Sequence, residues 1–117
     1  MIARKYRFHG YNALNFVYKQ GRTTRSSACL LRYAANPRRS HCRIAVVVSR
    51  KVAKSAVDRN RIRRRIYAVL EARVGELPAY DLVFTVLSSD IANMEEKHIN
   101  KTIIQLLQVL AVEPVEK

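Results

Sequence analysis

The sequence of 117 residues contains no apolar run long enough to cross a lipid bilayer, although 49% of its residues are hydrophobic. Its first residues, MIARKYRFHGY, lack the apolar central block of a secretory signal, so we expect a cytoplasmic protein. Its two cysteines, Cys29 and Cys42, do not form a CxxC pair, and we interpret them as reduced thiols in or near a core. The length predicts a single domain over residues 1–117.

The sequence also lacks the motifs of a self-contained active site. His9, His41 and His98 lie far apart, and none of them has the spacing of a metal ligand. The acids lie mainly in the last third of the chain, which disfavours a two-metal carboxylate cluster. We therefore predict no metal site and no catalytic residue in this chain.

What the sequence has in abundance is positive charge, concentrated in one part. Residues 1–73 contain 19 lysines and arginines against two acids, whereas residues 74–117 contain three against seven acids. A basic surface of this kind attracts polyanions and binds them in a salt-dependent way. A membrane partner is not expected, because the basic segment has no aromatic or leucine-rich insertion face.

The periodicity of the apolar residues predicts elements in the order α-β-β-α-β-α. The predicted helices are 11–19, 57–73 and 91–112, and the predicted strands are 27–33, 43–49 and 80–87. A further strand is allowed for if the first β-region divides in two. This order indicates an α+β sandwich, in which helices pack on a small, mostly antiparallel sheet and one helix crosses between two strands.

The predicted helix over 57–73 combines an apolar stripe with a basic surface. Ser55, followed by Asp58 three residues later, resembles a capping box at its start. The stripe expected to contact the sheet consists of Ile62, Ile66, Val69 and Leu70. The side chains expected to point elsewhere are Asn60, Arg61, Arg63, Arg64 and Tyr67. Arg59 and Arg65 lie at the border of the stripe, where their stems can pack and their charged ends can reach solvent.

The arginines favour a nucleic-acid partner over simple solubility. Five arginines among residues 59–65 have almost no acid one turn away, and the planar guanidinium binds phosphate oxygens in pairs. The preceding strand disfavours a helix-turn-helix, and neither a zinc-finger spacing nor an aromatic RNP pattern is present. RNA is the favoured partner, with a ribosomal-type structural RNA-binding protein and a DNA-binding regulator as alternatives.

The segment VVVSRKVAKSAVDRNRIRRRIYAVLEAR, residues 46–73, resembles the signature of the bacterial ribonuclease P protein family. That signature is a strand ending in a serine and two basic residues, followed by a helix that carries Arg-Asn-Arg. The flanks RFHGYNALNFVYKQG, residues 7–21, and YDLV, residues 80–83, resemble the family more weakly. The resemblance implies an α/β sandwich with a left-handed β-α-β crossover, against the right-handed default.

The resemblance also implies a function. The protein would be the small basic subunit of a ribonucleoprotein that removes the 5′ leader from precursor tRNA. The ribonuclease P RNA would perform the hydrolysis with Mg²⁺ held mainly by that RNA. The protein would bind this RNA and the precursor tRNA, and no DNA partner is expected.

Two sets of residues are assigned by the resemblance. The residues expected to contact the catalytic RNA are Arg50, Lys51, Lys54, Arg59, Asn60, Arg61, Arg63, Arg64 and Arg65. The residues expected to line a cleft for the leader, between the first helix and the sheet, are Leu14, Tyr18, Cys29 and Arg32. Tyr18 matches an aromatic of that cleft, and core packing is its alternative role. Leu14, Cys29 and Arg32 stand where the family commonly has aromatic residues, and Phe16 is displaced by about 200° around the helix from Leu14.

Overall fold

A computed structural model of the chain describes residues 3–8, 11–36 and 38–112. The described helices and strands are α1 (Tyr11–Gln20), β1 (Arg22–Arg25), β2 (Cys29–Ala35), β3 (Arg43–Val47), α2 (Ala56–Glu71), β4 (Tyr80–Val86) and α3 (Glu96–Val112). Short 3₁₀ turns cover Arg4–Tyr6, Val74–Glu76 and Ser89–Ala92. The strands form one sheet in the order β1-β2-β4-β3.

The pairing of the strands confirms the predicted α+β fold. β2 pairs antiparallel with both β1 and β4, and β3 pairs parallel with β4. Because β3 and β4 are parallel neighbours, α2 is the crossover that connects them. The left-handed sense of this crossover stays an implication of the resemblance.

Two elements differ most in position from the sequence prediction. The fourth strand, β1, precedes the first predicted β-region instead of dividing it, because its RTTR sequence is polar and gives no apolar alternation. α3 begins at Glu96, five residues later than predicted. In the intervening segment Ser88 caps a 3₁₀ turn by accepting a hydrogen bond from the Asp90 amide at 3.1 Å. The buried Ile91, which suggested a helix start, packs from this turn.

Side chains alternate between the two faces of the sheet and form two cores. The core between the sheet and the helices α2 and α3 includes Leu31, Ile44, Leu82 and Phe84. The smaller core beneath α1 consists of Phe8, Val17, Ala45 and Val83. Since α1 has only ten residues, it leaves part of its face of the sheet uncovered. Grooves can therefore form beside it.

The beginning and the buried face of α2 follow the sequence prediction. The Ser55 hydroxyl oxygen accepts hydrogen bonds from the amides of Val57 and Asp58 at 3.1 and 3.3 Å. This cap satisfies amides that the first turn of a helix leaves without partners. The predicted stripe is confirmed, since Ile62, Ile66, Val69 and Leu70 are all buried.

Tyr67 is the residue of α2 whose prediction was wrong. It was expected to point away from the sheet, but only 8% of it is exposed. The ring covers the side of the sheet at β3, an edge strand, and so widens the apolar stripe beyond four positions. Burial raises the pKa of the Tyr67 hydroxyl, while a hydrogen bond with the backbone of Val46 acts in the opposite direction.

Candidate nucleic-acid interface

The loop between β3 and α2 carries three of the predicted RNA contacts. Its exposed basic side chains are Arg50, Lys51 and Lys54. The loop turns on Ser49, whose carbonyl oxygen accepts hydrogen bonds from the amides of Val52 and Ala53 at 3.1 and 3.2 Å. This turn projects three cations into solvent immediately before the first turn of α2.

The outward face of α2 presents further cations. Arg61 and Arg64 are exposed, and the guanidinium of neither has a hydrogen-bond or ion-pair partner within residues 3–8, 11–36 and 38–112. Arg63 is half-buried, and its Nη1 donates to Oδ1 of Asn60 at 2.5 Å, one turn earlier. A guanidinium has five N–H donors, so all three arginines retain donors for phosphate oxygens.

Arg59 and Arg65 bind the protein backbone instead of pointing freely into solvent. Nη1 of Arg59 donates to the carbonyl oxygens of Ala53 and Lys54 at 3.0 and 2.8 Å, which ties the helix to the preceding loop. Arg65 donates to the carbonyl oxygens of Ala92 at 2.7 Å and of Met94, and it thereby bridges α2 and the segment before α3. Carbonyl partners leave the positive charges unneutralised. A contact of either arginine with RNA stays a prediction.

A groove of about 860 Å³ lies between the N-terminal segment, α1, the edge strand β3 and α2. Four arginines contribute to its lining, namely Arg4, Arg7, Arg63 and Arg64. The other lining residues are Phe8, Leu14, Ala45, Val46, Val47, Asn60 and Tyr67. The groove therefore combines guanidinium groups, which bind phosphates, with an apolar surface that can contact bases.

Sequence reasoning assigned only part of this groove. It named Leu14, Asn60, Arg63 and Arg64 as site residues, and the structure brings all four together. It missed the N-terminal segment, which is placed beside α2 by a parallel bridge between Arg7 and Ile44 and by the Phe8 amide donating to the Ile44 carbonyl at 3.1 Å. The basic run RKYR at residues 4–7 was the available signal.

Tyr18 and Arg32 form a second predicted part of the leader cleft. The Arg32 guanidinium carbon lies 5.1 Å from the centroid of the Tyr18 ring, a cation–π geometry that extends the planar surface. Tyr18 is 41% exposed, so its alternative assignment as a core residue is wrong. The exposed aromatic ring and its cation are available to a base and its phosphate.

Cys29 does not belong to this cleft. It is fully buried in the core shared with α2 and α3, on the face of the sheet opposite α1. Residues three apart in a strand point to opposite faces, so Cys29 and Arg32 cannot line the same surface. Burial raises the pKa of the Cys29 thiol to about 12 and that of the Cys42 thiol to about 11, which makes both thiols poor nucleophiles.

Within residues 3–8, 11–36 and 38–112, no group of three or more histidine, cysteine, aspartate or glutamate side chains is arranged to hold a metal ion. None of the helices in the same described ranges has the length and apolar character of a membrane span.

Comparisons with known proteins match nearly the whole chain. The family model described as Ribonuclease P matches residues 2–111. The ribonuclease P protein component of Synechocystis sp. is 35% identical over 86 residues, which cover 73% of this chain and 69% of that protein. The ribonuclease P protein component of Chloroflexus aurantiacus is 33% identical over 114 residues, which cover 97% of this chain and 83% of that protein.

Solved structures share the fold at lower sequence identity. The RNase P protein of Staphylococcus aureus has a TM-score of 0.79 at 22% identity, covering 89% of this chain and 94% of that one. The RNase P protein of Thermotoga maritima has a TM-score of 0.75 at 19% identity, covering 86% and 92%. The family model and the curated relatives show that the chain belongs to the ribonuclease P protein family, the tRNA 5′-end processing family that residues 46–73 resemble.

Proposed function

We propose that this chain is the non-catalytic protein subunit of ribonuclease P, which binds the catalytic RNA and the 5′ leader of precursor tRNA. The observation that carries the proposal is the groove of about 860 Å³ with its arginines and apolar surface. Single-stranded RNA presents both phosphates and unpaired bases, so it matches both parts of this lining. The family match disfavours a ribosomal-type role.

The chemistry of the surface supports a binding role for the protein. Arginine stays protonated in proteins and has no acceptor atom, so Arg61, Arg63 and Arg64 can anchor phosphates but cannot act as general bases. Their permanent charge fits the neutralisation of RNA backbones that would otherwise repel each other. Hydrolysis is therefore assigned to the RNA subunit.

Magnesium is also assigned to the RNA. The lining of the groove contains four arginines and no carboxylate, whereas Mg²⁺ prefers carboxylate, phosphate and water oxygens. This donor set does not fit a divalent cation. The protein is expected to act on the Mg²⁺ requirement indirectly, because its cations reduce phosphate repulsion that Mg²⁺ otherwise has to screen.

A cytoplasmic location is part of the same proposal. Cys29 and Cys42 are both free and buried, which fits a reducing compartment. The catalytic RNA and its tRNA substrates would be encountered there.

The experiment that tests the function is reconstitution with a ribonuclease P RNA. Cleavage of a precursor tRNA is measured over a series of Mg²⁺ concentrations, with and without the protein. We expect the protein to lower the Mg²⁺ concentration that gives half-maximal cleavage. An unchanged Mg²⁺ dependence with correctly folded RNA would falsify the proposal.

A charge-matched pair of variants controls for unspecific polycation effects. The first variant carries Arg61→Ala and Arg64→Ala on α2, and the second carries Lys19→Ala on α1 and Arg25→Ala on β1, the edge strand opposite β3. Both lose two positive charges from exposed side chains. The first should raise the Mg²⁺ requirement more than the second, since only the first loses groups at the proposed RNA surface.

Replacing Tyr18 with alanine is expected to weaken binding of precursor tRNA with a leader more than binding of mature tRNA. The exposed ring can stack on a leader base for about 1–3 kcal/mol, and mature tRNA has no leader to lose. Affinities of the reconstituted holoenzyme for both RNAs, measured at one salt concentration, give the comparison.

Tyr18→Phe is the matched control, because it keeps the aromatic face and removes only the hydroxyl. It should retain most of the affinity for the leader-bearing precursor. Equal losses for precursor and mature tRNA in the alanine variant would contradict a contact between Tyr18 and the leader.

A further inference from the structure

A second groove lies on the other side of α1. It has a volume of about 550 Å³ at the end of the sheet where β3 and β4 begin. Ala13 and Phe16 of α1 form one wall, and Arg38 and Arg39 of the β2–β3 connection contribute to its lining. None of these four residues belongs to the sites assigned by the family resemblance.

Phe16 gives this groove an exposed aromatic ring. It is 46% exposed, and it precedes Tyr18 by two positions, about 200° around the helix. α1 therefore presents two exposed rings on nearly opposite sides. Each ring is accompanied by arginine, since Arg32 stacks on Tyr18 and Arg38 lines the groove with Phe16.

The second groove carries positive charge that the one carboxylate in its lining does not neutralise. Arg38 and Arg39 are exposed, and within the described parts of the chain neither guanidinium has a hydrogen-bond or ion-pair partner. The one carboxylate in the lining, Asp81, is 2% exposed and accepts hydrogen bonds from Nε and Nη2 of Arg43 at 3.1 and 3.0 Å. Asn36 donates to the same carboxylate at 3.0 Å. Asp81 is therefore already neutralised, and the cations of Arg38 and Arg39 face solvent.

The second groove adjoins the groove that the proposed function assigns to RNA. Ala13 lines the second groove and its chain neighbour Leu14 lines the first. Arg43 of the second groove has its guanidinium carbon 4.9 Å from the ring centroid of Phe8, which lines the first. The basic loop with Arg50 and Lys51 follows β3, whereas Arg43 begins that strand, so the loop and the second groove lie at opposite ends of β3.

We propose that the second groove binds the upstream part of a long 5′ leader, with Phe16 stacking on a base and Arg38 and Arg39 neutralising the adjacent phosphates. The inference rests on the proposed function, because it requires a leader held beside α1. The leader fits better than the catalytic RNA, since Ala13 and Phe16 belong to α1, the helix that carries Leu14 and Tyr18 of the predicted leader cleft, and the groove lies at the other end of β3 from the start of α2. Stacking and phosphate contact together match single-stranded RNA without reading its sequence.

The test measures affinity of the reconstituted holoenzyme for precursors whose leaders are lengthened one nucleotide at a time. For the unmodified protein, affinity should rise once as the leader fills the first groove and again as it reaches Phe16. Phe16→Ala should remove the second rise, about 5- to 150-fold in affinity, and leave short leaders unaffected. Phe16→Tyr should retain it, and the melting temperature of each variant verifies folding.

The salt dependence of leader binding tests the role of Arg38 and Arg39 separately from that of Phe16. Arg38→Ala with Arg39→Ala should make the log–log salt slope of long-leader binding shallower by about 1.4, as for two single-strand phosphate contacts, with no change for short leaders. Equal effects of these variants at every leader length would overturn the inference. So would weaker docking of the catalytic RNA in the absence of precursor, because the groove would then hold that RNA.

The two proposals fail in different ways. If the unmodified protein binds leader-bearing and leaderless RNA equally, the proposed function of leader binding fails. If the unmodified protein distinguishes them but Phe16→Ala leaves the dependence on leader length unchanged, only the second groove is refuted.

Discussion

Replacing Ile66 with aspartate is expected to unfold the protein at room temperature. Ile66 is fully buried, and it lies in the centre of the α2 stripe that packs on the sheet. The substitution removes aliphatic packing worth about 2–5 kcal/mol and buries a carboxyl group at a cost of several kcal/mol more. A small domain is stable by only about 5–15 kcal/mol. Far-ultraviolet circular dichroism and a thermal melt measure the outcome.

Ala68→Asp is the matched control two residues along the same helix. Ala68 is exposed, so the same carboxylate stays in water and the melting temperature should remain close to that of the unmodified protein. Ile66→Val is a graded second variant and should cost about 0.5–1.5 kcal/mol. A cooperative melt of Ile66→Asp at the original temperature would mean that α2 packs on the sheet through another face.

The main elements of the fold could be predicted because apolar periodicity reports directly on burial. Ile62, Ile66, Val69 and Leu70 repeat at helical spacing and are all buried. Tyr67 could not be predicted in this way. Its burial depends on β3 being the edge strand beneath α2, and strand order is a long-range property that periodicity within one helix does not contain.

The hydrogen-bond partners of Arg59 and Arg65 also could not be predicted from the sequence pattern. Arg59 binds carbonyls five and six residues earlier, and Arg65 binds carbonyls 27 and 29 residues later. Backbone carbonyls carry no side-chain signature, so no residue pattern distinguishes these two arginines from Arg61 and Arg64. Charge density predicted the basic surface correctly, but it could not separate arginines that brace the helix from those that face solvent.

Only part of the candidate site could be predicted, because its residues come from distant segments of the chain. Arg4 and Arg63 line one groove although 59 residues separate them. The family motif covered α2 and α1, but the N-terminal segment required the bridge to β3. The misplacement of Cys29 was avoidable, since its odd spacing from Arg32 already puts the two side chains on opposite faces of a strand.

Replacing Arg61 and Arg64 together with alanine is expected to weaken binding of the catalytic RNA by at least about 30-fold. Each side chain is exposed, without a bonded partner in the described part of the chain, and each lost charged hydrogen bond costs about 1–3 kcal/mol. If each arginine meets one phosphate, the log–log salt slope should become shallower by about 1.4–1.8. Titrations of the RNA at several salt concentrations measure both quantities.

Replacing Arg65 with alanine is expected to lower the stability of the fold more than the affinity for RNA, the reverse of what is expected for Arg61 and Arg64. The variant therefore tests whether Arg65 stabilises the fold while the other two arginines bind RNA. The Arg65 guanidinium bridges α2 to the carbonyls of Ala92 and Met94, so its loss should lower the melting temperature while changing the salt slope less than the loss of Arg61. The double variant of Arg61 and Arg64 should melt like the unmodified protein, because neither side chain bonds to the described fold. If instead Arg65→Ala changes the salt slope as much as either outward arginine does, the guanidinium must exchange its carbonyl partners for phosphate when the RNA binds.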